Sequence, residues 1–167
     1  MFTVCLDVQY YETYAVTAYV LFKNVADTEP LKTGQVVTHE VHPYEPGAFY
    51  KRELPCLLNA LQVIIEPLEL IIIDANVWLS DEKMGLGGIL YESLQNNTPV
   101  IGVCKTKYTG ETSKIVPVYR GDSQNLLYVS AIGINTGKAV KLIKDMAGPY
   151  RIPTLIKLAD TVCRNSA

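Results

Sequence analysis

The chain has 167 residues, 49% of them hydrophobic, and a formal net charge of −2. This length suits one domain, residues 1–167, with a buried core, and the composition excludes a disordered chain. No apolar run approaches the ~20 residues that cross a bilayer, and Cys5, Cys56, Cys104 and Cys163 form no CxxC pair, so the expectation is a cytoplasmic monomer with neither disulfides nor a zinc site.

Met1-Phe2-Thr3-Val4 has no basic segment ahead of its apolar run and reads as the start of a strand, not as a leader. Residues 2–11 form that strand, with one charge, Asp7, inside it. Residues 14–23 are rich in β-branched and aromatic side chains and predict a second strand; 24–34 are a turn, and 35–42 a third strand. Short connections between the three predict an antiparallel meander. Pro43-Tyr44-Glu45-Pro46-Gly47 stops regular structure. Leu54, Leu57, Leu58, Leu61, Ile64 and Ile65 then recur at helical spacing over 49–65, with an interruption expected at Pro55. The apolar stretch 68–73 ends at Asp74. A helix over 85–95 and a strand over 99–104 follow, which implies a parallel crossover unit. Two short strands (115–120 and 126–130) and two helices (136–147 and 153–164) complete an α/β domain with a mixed sheet and helices on both faces.

Charge is unevenly distributed. Residues 1–84 hold five Lys/Arg against twelve Asp/Glu, and residues 85–167 hold ten against five. A cation site in the first half and a phosphate-tracking surface in the second would produce this pattern, as would ordinary surface sampling.

Asp7 stands towards the carboxyl end of the first strand, and Asp74 directly after an apolar one. Ligands of open α/β sheets collect at that edge. Two neighbouring carboxylates repel, and a hard divalent cation keeps both ionised. Mg²⁺, with Mn²⁺ as its substitute, suits water activation for phosphoryl transfer. Glu53, in the first turn of the helix after the Pro-rich loop, offers a third oxygen, and Lys105, just past residues 99–104, a phosphate contact. Each has a plainer reading: an ion pair for Asp7, a turn cap for Asp74, a helix N-terminus for Glu53, solvent for Lys105.

Several stretches resemble the endonuclease V family. Pro43-Tyr44-Glu45-Pro46-Gly47, Phe49 and Arg52-Glu53 are similar to its PYxPG…F…RE segment, and Ile71-Ile72-Ile73-Asp74 to its strand ending in Asp. Gly85-Leu86-Gly87 through Pro99-Val100-Ile101-Gly102-Val103-Cys104-Lys105 resembles its helix and P-x-IGVAK strand. Tyr128-Val129-Ser130 resembles its YVS, and Tyr150-Arg151-Ile152-Pro153 with Lys157-Leu158-Ala159-Asp160 its tail. The matches run in order over nearly the whole chain, which is identified as a divergent, compact member. The resemblance implies a ribonuclease-H-like fold, an Mg²⁺-dependent endonuclease cutting 3′ to inosine or deoxyinosine in DNA or RNA, and a place in DNA repair or RNA processing. It implies metal binding by Asp7, Glu53 and Asp74, and a phosphate contact by Lys105. It also implies a base-separating wedge at Tyr44, held in a loop with Pro43, Pro46 and Gly47.

Two departures stand out. A family histidine after YVS, implied to help complete the metal and water site, has no counterpart in Ala131-Ile132-Gly133-Ile134-Asn135; Asn135 is the oxygen donor nearest that position. The family's Gly-His-Gly after the strand-ending Asp is replaced by Ala75-Asn76-Val77, with Trp78 next, a ring that either stacks a base or packs on the following helix. Two alternatives therefore stand beside the active endonuclease: a degenerate relative that binds nucleic acid without cutting, and a ribonuclease-H-like nuclease of other specificity.

Overall fold

The structure, a computed structural model, describes residues 1–165. Strands β1 (Phe2–Tyr10), β2 (Tyr14–Phe22) and β3 (Lys32–His39) form the antiparallel meander. Helix α1 (Tyr50–Val63) leads to β4 (Leu68–Ile73), and α2 (Leu86–Leu94) to β5 (Val100–Cys104). Strands β6 (Val116–Val118) and β7 (Leu127–Ile132) precede helices α3 (Thr136–Asp145) and α4 (Thr154–Arg164). The strands make one seven-stranded sheet in the order β3-β2-β1-β4-β5-β7-β6. Within it β1, β4 and β5 run parallel, and β7 lies antiparallel to β5. Among the described residues no helix is long and apolar enough to cross a membrane.

Alternation along the strands divides the core between the two faces. Val4, Leu6, Ile71 and Ile73 pack with Leu57 and Ala60 of α1 and Leu86 and Leu90 of α2. Cys5, Leu70, Ile72 and Ile101 pack with Ala139 and Ile143 of α3 and Leu155 and Ala159 of α4. The α3–α4 turn is held by buried Arg120. Its Nε donates to the Ile143 carbonyl at 3.1 Å, and its other nitrogens donate to the carbonyls of Met146, Ala147 and Tyr150. The last carbonyls of α3 thereby gain the partners that a helix end lacks on its own.

Two local expectations are corrected. The third strand occupies 32–39 and not 35–42: it pairs with β2 from Leu21↔Lys32 to Tyr14↔His39, and Glu40 takes a left-handed φ of 56°, which ends the extended run. His42 thus falls in the loop. Helix α1 also runs unbroken through Pro55, which lies in its second turn. There the ring removes only one backbone donor close to an end where several carbonyl partners are already missing.

Gly102 and Ser130 hold the turn after β4. They face each other across β5 and β7, and Gly102 also faces Ile73 of β4. The buried Ser130 hydroxyl accepts from Val77 N at 2.9 Å. A Cβ at Gly102 would stand 2.0 Å from the Ala75 carbonyl oxygen and 3.2 Å from Ser130 Oγ. Gly102→Ala is therefore expected to cost about 3 kcal/mol by overpacking backbone that cannot yield. The urea midpoint of the metal-free protein measures this, and an unchanged midpoint would show that the turn moves freely.

Candidate metal and phosphate site

Parallel pairing decides where the acids stand. Leu6 is the register partner of Ile73, so Asp7 and Asp74 come next on neighbouring strands. Ile73 in turn faces Gly102, which places Lys105, just past β5, at the same sheet edge. Asp7, Asp74 and Lys105 line one narrow cleft together with Lys157 and Asp160 of α4. Asp7, Glu53 and Asp74 line a second, on the side of α1 and Leu86. Glu53 and Asp160 therefore approach Asp7 from the two helical layers.

None of the plain readings accounts for Asp7. Its Oδ1 accepts from the neighbouring Val8 N–H at 2.9 Å, and among the described residues no Lys or Arg lies within ion-pair distance of it. Glu53 does occupy the first turn of α1, but it is only 8% exposed and its Oε2 is buried without a hydrogen-bond partner. Burial pushes the Glu53 carboxyl up to about 8, reinforced by the negative fields of Asp74 and Asp7 and opposed by Arg52. Burial likewise raises Asp7 to about 6, with Asp74 and Asp160 adding to it and Val8 N–H and Lys105 opposing. Asp74 is raised by burial, against the Lys105 ammonium.

Asp160 behaves differently. Burial works to raise it, but Arg164 and Lys157 hold it below the ordinary aspartate value. Arg164 Nε donates to Oδ1 at 2.7 Å and Lys157 Nζ to Oδ2 at 3.1 Å. The sequence reading placed Asp160 in a family-like tail without assigning it to the site. The overlooked signal is a carboxylate set beside the buried stripe Leu155, Ala159 and Cys163 of an amphipathic helix.

The residue set fits a hard divalent cation. Four carboxylates meet at one sheet edge, one of them with an orphaned buried oxygen, and uncompensated buried charge of this kind is costly unless a cation is taken up.

Beside the acids lies a cleft of about 800 Å³, walled by Phe49, Tyr50, Met84, Leu86 and Ile89, with Asp74 and Gly47 also on its lining. Gly47, with a φ of 79°, turns the Pro-rich loop at this rim, and Tyr44 in that loop is 62% exposed. The other residues singled out in the sequence are engaged elsewhere. Trp78 Nε1 donates to the Ala131 carbonyl at 3.1 Å, and Lys114 Nζ covers one face of its ring 3.7 Å from the centroid. Asn135 caps α3, its side chain accepting from Lys138 N at 3.2 Å.

A family model described as Endonuclease V matches residues 2–161. Endonuclease V of Nostoc punctiforme is 25% identical over 154 residues, covering 80% of this chain and 68% of that protein. Another curated relative is matched over 48% of its own length. Among solved structures, the Bacillus subtilis Endonuclease_V has a TM-score of 0.79 at 20% identity, covering 98% of this chain and 79% of that one. A Ciona intestinalis Endonuclease V, crystallised with a 23mer DNA containing an inosine, also gives 0.79 at 20% identity, over 98% of this chain and 83% of that one. The chain thus belongs to the endonuclease V family and has its ribonuclease-H-like fold.

Proposed function

We propose that this protein is an Mg²⁺-dependent endonuclease that hydrolyses the second phosphodiester bond 3′ to inosine or deoxyinosine. The observation that carries the reading is the convergence of Asp7, Glu53, Asp74 and Asp160 with Lys105 at one sheet edge, beside an apolar cleft with room for a base. Asp7, Glu53 and Asp74 would hold the cation, Mg²⁺ or in its place Mn²⁺, with Asp160 as the fourth carboxylate. When bound, such an ion lowers the pKa of water and neutralises charge on the phosphate. Lys105 contacts the scissile phosphate as a point charge. The apolar cleft takes the extruded base, since a base must leave the stack to be inspected. Tyr44 fills the gap left behind, and Pro43 and Pro46 limit the freedom its loop loses on binding. The Ciona relative's complex with inosine-containing DNA supports both the polymer and the lesion.

The test uses single- and double-stranded DNA and RNA oligonucleotides, each with and without one inosine, incubated with Mg²⁺ or with a chelator. The expected product is a metal-dependent nick one nucleotide beyond the inosine. Equal cutting of inosine-free strands, RNA–DNA hybrids or branched DNA would replace the specificity. Salt-sensitive binding without any cut, by protein shown to be folded, would establish the degenerate binder that the missing histidine suggests.

A further inference from the structure

Ala75-Asn76-Val77, which stands in place of the family's Gly-His-Gly, sets a half-buried amide at the wall of the apolar cleft, where Asn76 joins Leu86, Ile89 and Cys104. The backbone of Asn76 is pinned. Its carbonyl accepts from Gly87 N at 3.1 Å, and a Cβ at Gly85 would stand 2.5 Å from the same oxygen. The next residue is pinned as well, by Val77 N donating to Ser130. The Asn76 side chain has one partner: the Cys104 thiol donates to its Oδ1 at 3.3 Å. Its Nδ2 takes no partner among the described residues, yet it is not sealed from solvent. The acceptor of this amide is therefore occupied and its donors are open.

A thiol sulfur is a weak acceptor and an amide oxygen a good one, so the S–H holds Oδ1 towards Cys104 and turns the NH₂ the other way. An asparagine free to turn pairs with adenine by offering one acceptor and one donor. Asn76 offers donors only. Hypoxanthine presents two neighbouring acceptors, its 6-oxo group and N7, whereas adenine sets a 6-amino donor where the oxygen would be. Two donors facing each other at an apolar wall are both left unpaired, which is costly. We propose that Asn76, oriented by Cys104, is the residue that selects a 6-oxopurine over adenine in this cleft. The assignment rests on the reading, given above, that the cleft takes the extruded base. Guanine shares the 6-oxo and N7 edge, so this contact admits both oxopurines and rejects adenine. Cys104 is a positioning residue that acts through Asn76.

The probes are single-stranded, otherwise all-pyrimidine oligonucleotides carrying one inosine, one adenosine or one purine nucleoside without a C6 substituent. Each is titrated with the full chain in chelator, so that nothing is cut, and fluorescence anisotropy reads the affinities. The wild type is expected to bind the inosine strand roughly tenfold to a hundredfold tighter than either of the others, the range of one well-placed pair of hydrogen bonds to a base. Asn76→Leu, close in volume and without donors, should bring the three affinities together. Cys104→Ala frees the amide to turn, so it should gain affinity for the adenosine strand and keep its affinity for the inosine strand. Equal affinities in the wild type, or a preference that survives Asn76→Leu, would overturn the assignment. A preference unchanged in Cys104→Ala would overturn the orienting role of the thiol. Should Asn76→Leu fail to fold by circular dichroism, Asn76→Ala takes its place with the same expected result. Binding needs no cleavage, so it separates the two readings. A preference that Asn76→Leu abolishes, without a cut on any strand in Mg²⁺, keeps the assignment and removes the nuclease. Cutting with a preference that Asn76→Leu leaves unchanged does the reverse.

Discussion

Asp7→Asn is expected to lower Mg²⁺-dependent cleavage by roughly 10²–10³-fold, the range found when one preorganised electrostatic contact is removed from an active site. Asparagine preserves the side-chain volume and leaves an oxygen to accept the Val8 N–H, so the protein should remain folded. It removes a negative charge that is half-buried, crowded by Asp74 and Asp160 and without an ion-pair partner among the described residues. The metal-free variant should therefore melt at a higher temperature than the wild type at neutral pH while losing the stabilisation that Mg²⁺ confers. Initial rates on the inosine oligonucleotide and melting curves with and without Mg²⁺ read both effects. Wild-type cleavage by the variant would remove Asp7 from the chemistry.

Metal-free stability is expected to fall as the pH rises from about 4 to about 8. The unfolded chain releases the Glu53 and Asp7 protons near 4.5 and 3.8, but the folded chain keeps them to about 8 and about 6. Between those values the native state binds more protons than the unfolded state, so unfolding becomes easier with each rise in pH. Asp7 contributes up to about 6, and Glu53 through the whole window. Glu53 alone accounts for up to roughly 5 kcal/mol at 1.36 kcal/mol per unit. Asp160 has the opposite sign, because its bonds to Arg164 and Lys157 add stability that is lost only at acid pH, below the window. Denaturant titrations at pH 5 and pH 8 in chelator should show the drop, and Mg²⁺ should remove most of it by binding the ionised cluster. A flat profile in chelator would mean that Glu53 and Asp7 are not held as buried acids.

Asp7, Asp74 and Lys105 were legible because each follows or interrupts an apolar strand, and strand ends set an edge wherever the strands are neighbours and parallel. Glu53 was legible from its place after the Pro-rich loop. Asp160 was not, because its helix reads as an ordinary amphipathic one and nothing local says that this face meets β1. The same holds for Gly102 and Ser130: their part in positioning Asp74 depends on β5 and β7 being adjacent, a pairing across the sheet that neither segment encodes alone. At β3 a strand was visible but its bounds were placed three residues too late, since this edge strand is half exposed and its ends are decided by β2.

The acids converge from segments far apart in the sequence. Asp7 is in the first strand and Asp160 in the last described helix, which also packs against β1 and β2. A nascent chain therefore emerges from the ribosome with Asp7, Glu53 and Asp74 already made but one side of the sheet uncovered and the fourth carboxylate still missing. Whatever this site does to nucleic acid, it is assembled only once α4 has docked, so unfinished chains beside their own messenger RNA lack the complete set.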